Sequence, residues 1–117
     1  MQNLDQLRAK NALEPAEGLD RSAVNKLPAM IIANGLLATA AFCQAEGGGD
    51  RRGQMKAALE ATAEHLAKRS FIPANNTTVK GLIDYLATQD SDHLQRATTE
   101  ALAFIAYLKR FAPPKKD

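Results

Sequence analysis

The sequence predicts an all-α protein, a single-domain bundle of about five or six helices around one central apolar helix at roughly residues 27–45. Three observations carry this. Between Lys26 and Glu46 the chain reads KLPAMIIANGLLATAAFCQAE, with no ionisable side chain inside those bounds except Cys43. At about 100° per residue, Leu27, Met30, Ile31, Leu37, Ala38, Ala41 and Phe42 form one wide apolar face, and Ile32, Leu36 and Cys43 cover much of the opposite side. A helix apolar nearly all round is expected to be enclosed by other helices or by a partner. Alanine and leucine dominate, tryptophan is absent, and β-branched residues never alternate with polar ones over a strand's length. Finally, caps, prolines and glycines cut the rest of the chain into helix-length segments.

Taken in order, the first helix begins at Asn3, which can cap it, with Gln6 completing a capping-box pattern. Leu4 and Leu7, with Asn11 and Leu13, give it a modest apolar face, and Arg8 and Lys10 point away. Pro15 biases Glu14 out of the α region and Gly18 follows, so the helix ends near there. Asp20 or Ser22 caps a second segment. Either that segment stops at about Lys26 and a new helix takes Pro28 in its first turn, or one helix kinks at Pro28. GGGDRRG, Gly47 to Gly53, reads as a flexible connection without the Lys-Ser/Thr ending of a phosphate-binding loop.

The third helix is expected from about Arg51 to Arg69, with Met55, Ala58, Leu59, Thr62 and Leu66 on one face. Lys56, Glu60, Glu64 and Lys68 form a solvated ladder at i, i+4 spacing. Phe71, Ile72 and Pro73 tuck the connection against the core. Asn76 or Thr77 caps the fourth helix, whose Val79, Leu82, Ile83 and Leu86 face inward while Lys80 and Asp84 pair outside. Asp90 or Ser91 starts the last helix, which runs to about Ala112 and is stopped by Pro113 and Pro114. Its stripe is Leu94, Ala97, Thr98, Ala101, Ile105, Leu108 and Ala112, widened by Phe104, Tyr107 and Phe111. Arg96, Ala103, Tyr107 and Arg110 then form an exposed aromatic and basic strip. The helical domain spans residues 1–112, and residues 113–117 form a short basic tail.

The charge-free run approaches the roughly 20 residues of a membrane span, but Pro28, Asn34, Gly35, Thr39 and Gln44 dilute it, so a membrane role is excluded. The N-terminus has no apolar core of signal-peptide type, and a cytoplasmic protein is expected. Fifteen basic against 13 acidic residues give a net charge of +2, which permits nucleic-acid contact without implying it. Cys43 has no disulfide partner and reads as a small buried hydrophobe.

No catalytic constellation is expected, and no metal or cofactor. A di-metal bundle needs Glu-x-x-His on two helices. His65 has Thr62 three residues before it. His93 has Asp90, which lies at a helix start and reads as a cap. Glu60 and Glu64 lie on the solvated face, and the serines lie at helix ends. Asn34, on the apolar face, is expected to hydrogen-bond to a neighbouring helix or a backbone carbonyl. Alternatively, with Gly35 it marks a partner's docking place.

Two stretches carry a family resemblance. LPAMIIANGLLATAAF (Leu27 to Phe42) and ATTEALAFIAYLKRFA (Ala97 to Ala112) resemble the small all-helical subunit of the type III-B CRISPR effector, the Cmr complex. The start, Leu4, Gln6 with Leu7, Arg8 and Ala9, fits the same pattern, and the middle from Gly47 to Asp92 is not diagnostic. The chain departs in a short link before Lys26 and in Tyr107, where the family often has tryptophan.

The resemblance implies a non-catalytic subunit of an antiviral ribonucleoprotein, stacked in several copies along the groove where guide RNA pairs with target RNA. Its partners would be the other Cmr subunits, copies of itself, and both RNAs, with neither membrane nor small-molecule substrate. The expected RNA contacts are Lys26, Arg96, Lys109 and Arg110, in or beside the matched blocks, with Arg51 and Arg52 behind them. The expected subunit-interface residues are Asn34, Tyr107 and Phe111. The competing reading is a free-standing helical protein–protein adaptor that binds no RNA. A helix-turn-helix DNA binder lacks its short, strongly basic recognition helix.

Overall fold

The computed structural model describes residues 1–45 and 47–114, so Glu46 and the tail residues Lys115, Lys116 and Asp117 lie outside the described part. Helix α1 (Leu4–Ala16) begins as the local sequence requires. The Asn3 side chain accepts from the Gln6 backbone at 2.9 Å, and Gln6 Oε1 accepts from the Asn3 backbone at 2.9 Å. The helix ends at Ala16, between Pro15 and Gly18 as expected, with Glu14 still helical. Pro15 sits inside the last turn, where its missing N–H forgoes a single bond, and the chain leaves through i→i−3 bonds from Glu17, Gly18 and Leu19. The inward face also differs from expectation. Ala12 and Ala16 are fully buried, Leu13 is 54% exposed, and Arg8 turns inward rather than outward.

One turn of helix, α2 (Arg21–Val24), is capped by Asp20, whose side chain accepts from Ser22 N at 3.0 Å. Helix α3 (Leu27–Asn34) then carries Pro28 in its first turn, so a new helix starts there rather than one kinking. The apolar run is not a single central helix. It breaks at Gly35 into α3 and α4 (Leu36–Gln44). Gly35 has φ 94° and ψ 159°, its N–H bonds to the Ile31 carbonyl at 2.8 Å, and its carbonyl accepts from Thr39 N at 3.1 Å.

The break re-aims the second half of the run. Leu27 and Ile31 from α3 and Leu36, Thr39, Ala40 and Cys43 from α4 all become buried. Ile32 is left 75% exposed and Phe42 43% exposed, so the run is not enclosed on all sides. A Cβ at residue 35 would meet no atom within 4 Å. Gly35→Ala therefore isolates the backbone strain of a conformation that side chains disfavour, and it is expected to destabilise the protein by about 1–3 kcal/mol in urea unfolding. Unchanged stability would mean that the break does not depend on glycine.

Helix α5 (Gly49–Lys68) starts two residues ahead of the expected Arg51, so Asp50 to Gly53 are helical rather than loop. Of the expected loop stretch, Gly47 and Gly48 stay outside the helix, both at positive φ. The expected face of Met55, Ala58, Leu59, Thr62 and Leu66 is buried, and Ala61, Ala63 and His65 are buried on its flanks. Lys56, Glu64 and Lys68 are exposed and Glu60 is half-buried. This helix packs against α1, α2, α4, α6 (Val79–Leu86) and α7 (Ser91–Phe111), which makes α5 the central element.

Thr78, not Asn76 or Thr77, caps α6, its hydroxyl accepting from Gly81 N at 2.9 Å. Val79, Leu82 and Leu86 are buried, and Lys80 pairs with Asp84 at 2.7 Å on the outside. Asp90 caps α7 by accepting from His93 N at 2.8 Å, and Ala112 closes it ahead of Pro113. The described residues thus form six helices of eight or more residues and one single turn, an all-α bundle. No helix among them is long and apolar enough to cross a membrane.

Candidate functional site

Residues of three helices meet at a buried charge network. Glu100, midway along α7, is 5% exposed. Arg8 of α1 grips its carboxylate with both arms, Nε to Oε2 at 2.8 Å and one Nη to Oε1 at 2.8 Å. His65 of α5 places Nε2 at 2.9 Å from Oε2. The Asn11 amide nitrogen lies 3.0 Å from His65 Nδ1. An amide NH₂ only donates, so Nδ1 is the acceptor and Nε2 carries the proton given to Glu100. The imidazole also stacks on Phe104 at 4.3 Å between centroids, with 9° between planes.

Burial by itself would raise the Glu100 pKa. The hydrogen bonds from Arg8 and His65 outweigh it and hold the carboxyl at about 2. Burial pushes His65 below its ordinary value, against the opposing pull of Glu100. At neutral pH the network therefore holds an ionised carboxylate, a guanidinium and a neutral imidazole. With His65 only 1% exposed, the arrangement fastens α1, α5 and α7 together rather than presenting a reactive group to solvent. Cys43 is likewise buried, and burial pushes its thiol up despite the nearby Arg52. No group of three or more His, Cys, Asp or Glu among the described residues could hold a metal ion.

The six expected RNA contacts do not share one surface. Lys109 and Arg110 form the last turn of α7 and, with Arg21 and Asn25, line a depression of about 220 Å³. Lys26 follows Asn25 in the chain and is exposed. Arg21 is fixed in place, its Nε donating to the Ala112 carbonyl at 2.9 Å and its backbone N–H to the Pro113 carbonyl at 3.0 Å. Arg96 lies fourteen residues before Arg110, about 21 Å along the helix, and sits 3.5 Å from Asp92 in an i, i+4 pair. Arg51 shares a second depression with Asp20 and Asp50. The Arg52 guanidinium sits 4.2 Å from the centre of the Phe42 ring.

The expected interface residues are also separated. Asn34 is exposed at the end of α3, so it is not the buried amide the apolar pattern suggested. It lines an apolar groove of about 530 Å³ between the α3–α4 corner and Leu94, Thr98 and Leu102 of α7. Tyr107 is half-buried. Its hydroxyl donates to Asp5 of α1, which closes part of the strip expected to be open. Phe111 remains 38% exposed, its ring 6.2 Å from that of Tyr107.

Sequence reasoning missed Glu100, Arg8, Asn11 and Arg21. A signal for Glu100 was present, because it falls three residues after Ala97 and four before Phe104, inside the inward stripe of α7. A charge there demands a buried partner, but nothing local says which.

A family model described as CRISPR-associated protein (Cas_Cmr5) matches residues 4–114. That span runs from the first residue of α1 past the end of α7. No curated protein and no solved structure matches the chain.

Proposed function

The chain belongs to the CRISPR-associated protein (Cas_Cmr5) family and is a small subunit of the type III-B Cmr complex; from that premise we propose that it is a non-catalytic, RNA-contacting component of the effector. Several copies stack beside the other subunits along the groove where guide RNA pairs with target RNA, and cleavage belongs to other subunits. The complex acts in antiviral defence in the cytoplasm. The observation that carries this reading is the family match from end to end of the helical bundle.

Two structural features support it. The cations at the α2–α7 end suit phosphates held by charge rather than by base sequence. The open apolar side of α3 and α4, with Ile32 and Phe42, suits contact with a neighbouring subunit. That same apolar side also favours the adaptor reading, which needs no RNA.

Co-purification separates the two. The tagged chain, expressed in its native host, is expected to bring down short guide-length RNAs together with larger CRISPR subunits. Recovery of one unrelated protein and no RNA would reject the ribonucleoprotein role and leave the adaptor.

A further inference from the structure

Some cations of this chain face a carboxylate, and others have none within 4.0 Å among the described residues. Arg8 and Arg69 face Glu100, Lys80 faces Asp84, and Arg96 faces Asp92. Arg51 shares its depression with two aspartates. Arg21, Lys109 and Arg110 lack such a partner, as Lys26 and Lys56 do, and are set apart by being grouped. They line one depression with Asn25, and no carboxylate among the described residues lies within 4.0 Å of them. The α7 dipole explains part of this, since cations favour a helix C-terminus. Its end carries only about half a unit of negative charge, too little to balance three cations.

We propose that this depression is where phosphates of an RNA strand seat against the chain. The proposal rests on the RNA-contacting role above and gives that role a location. The chemistry selects the strand's backbone rather than its bases. Its lining residues carry guanidinium, ammonium and amide NH₂ groups, a set that suits phosphate oxygens. No aromatic ring among the described residues lines the depression, so it lacks the aromatic platform on which successive bases stack. Arg21 is the anchor. Its Nε is held by the Ala112 carbonyl, which restrains the guanidinium of a residue that lines the depression. Lys109 and Arg110 stand on a rigid helix beside it, and Arg51, Arg52 and Arg96 are not part of the site.

The test uses the full chain and a short single-stranded uridine oligonucleotide, with binding followed by fluorescence anisotropy across a salt series. Lys109→Gln/Arg110→Gln changes two exposed residues and is expected to keep the fold, which circular dichroism checks. Its slope of log affinity against log salt is expected to be shallower by about 1.4, at about 0.7 per lost charge on a single strand. Arg51→Gln/Arg96→Gln is expected to leave the slope unchanged, and the backbone amides of Arg21 and Asn25 should shift in NMR spectra as RNA is added.

The reverse pattern, with the Arg51 and Arg96 changes flattening the slope, overturns the site while the RNA-contacting role stands. Saturation by poly-glutamate without binding of RNA overturns it in favour of an acidic protein surface. No binding and no shift at Arg21 or Asn25 also overturns the site, and co-purification from the host then judges the RNA role independently.

Discussion

Replacing Glu100 with glutamine is expected to destabilise the protein by about 3 kcal/mol, the low end of what breaking a buried ion pair removes. The side chain keeps its shape but loses the charge that Arg8 grips with two 2.8 Å bonds. The Arg8 side chain is 21% exposed, so water relieves part of the loss and keeps it at the low end. Adding Arg8→Met to Glu100→Gln should recover part of the stability, because the stranded cation is then gone. Equal stability of Glu100→Gln and the unmodified protein in urea unfolding at neutral pH would show that the network does not hold the bundle.

The same variant carries a pH signature. In the folded protein Glu100 stays ionised down to about pH 2, whereas the unfolded carboxyl takes up its proton near 4.5. Between those values the unfolded state binds more protons, so stability present above 4.5 is lost as pH falls toward about 2. His65 acts in the same direction from higher pH. Its unfolded imidazole protonates near 6.5 while the buried one resists, so acidification below 6.5 already weakens the fold. Unfolding measured across this range should show a decline in two stages, and Glu100→Gln should abolish the lower one. A variant that keeps the full acid decline would move its origin to other carboxylates.

The second large effect is expected at Phe104. It is fully buried in the core, and its ring is stacked on His65. Phe104→Ala removes that apolar area and leaves a cavity between α5 and α7, for an expected loss of about 3–5 kcal/mol. Phe104→Leu should lose less, since it refills most of the volume. The alanine variant also has a local readout. Water reaching the imidazole relieves the burial that lowers the His65 pKa, so an NMR titration should move it up toward its ordinary value. A small loss with an unmoved titration would show that neighbouring side chains collapse into the space.

Much of the fold was legible because its signals are local. Asn3 with Gln6, Asp20 and Asp90 cap helices by reaching backbone N–H groups two or three residues away, so the sequence placed the first helix start and narrowed the other two to a choice of two residues each. The stripes of α5, α6 and α7 follow from periodicity, and Pro113 and Pro114 follow the last helix directly. The blocks from Leu27 to Phe42 and from Ala97 to Ala112 were enough to suggest the family, and the match over residues 4–114 agrees. Boundaries set without side-chain caps were less legible. Pro15 was tolerated in a last turn, and Gly49 joined a helix despite two neighbouring glycines.

By itself, then, the sequence determined an all-helical class, the cap of α1, the inward stripes of α5 and α7, and the family resemblance. The tertiary structure alone decided that the apolar run breaks at Gly35, because the break lets two short helices bury different edges against α6 and α7. It also decided that α5 is the central helix, that Arg8 faces inward to a carboxylate 92 residues away, and that Arg21, Lys109 and Arg110 have none within 4.0 Å among the described residues. The physical reason is the same in each case. Periodicity and caps act within a few residues, whereas the partner of a buried charge, or its absence, depends on which distant segment the packing brings alongside.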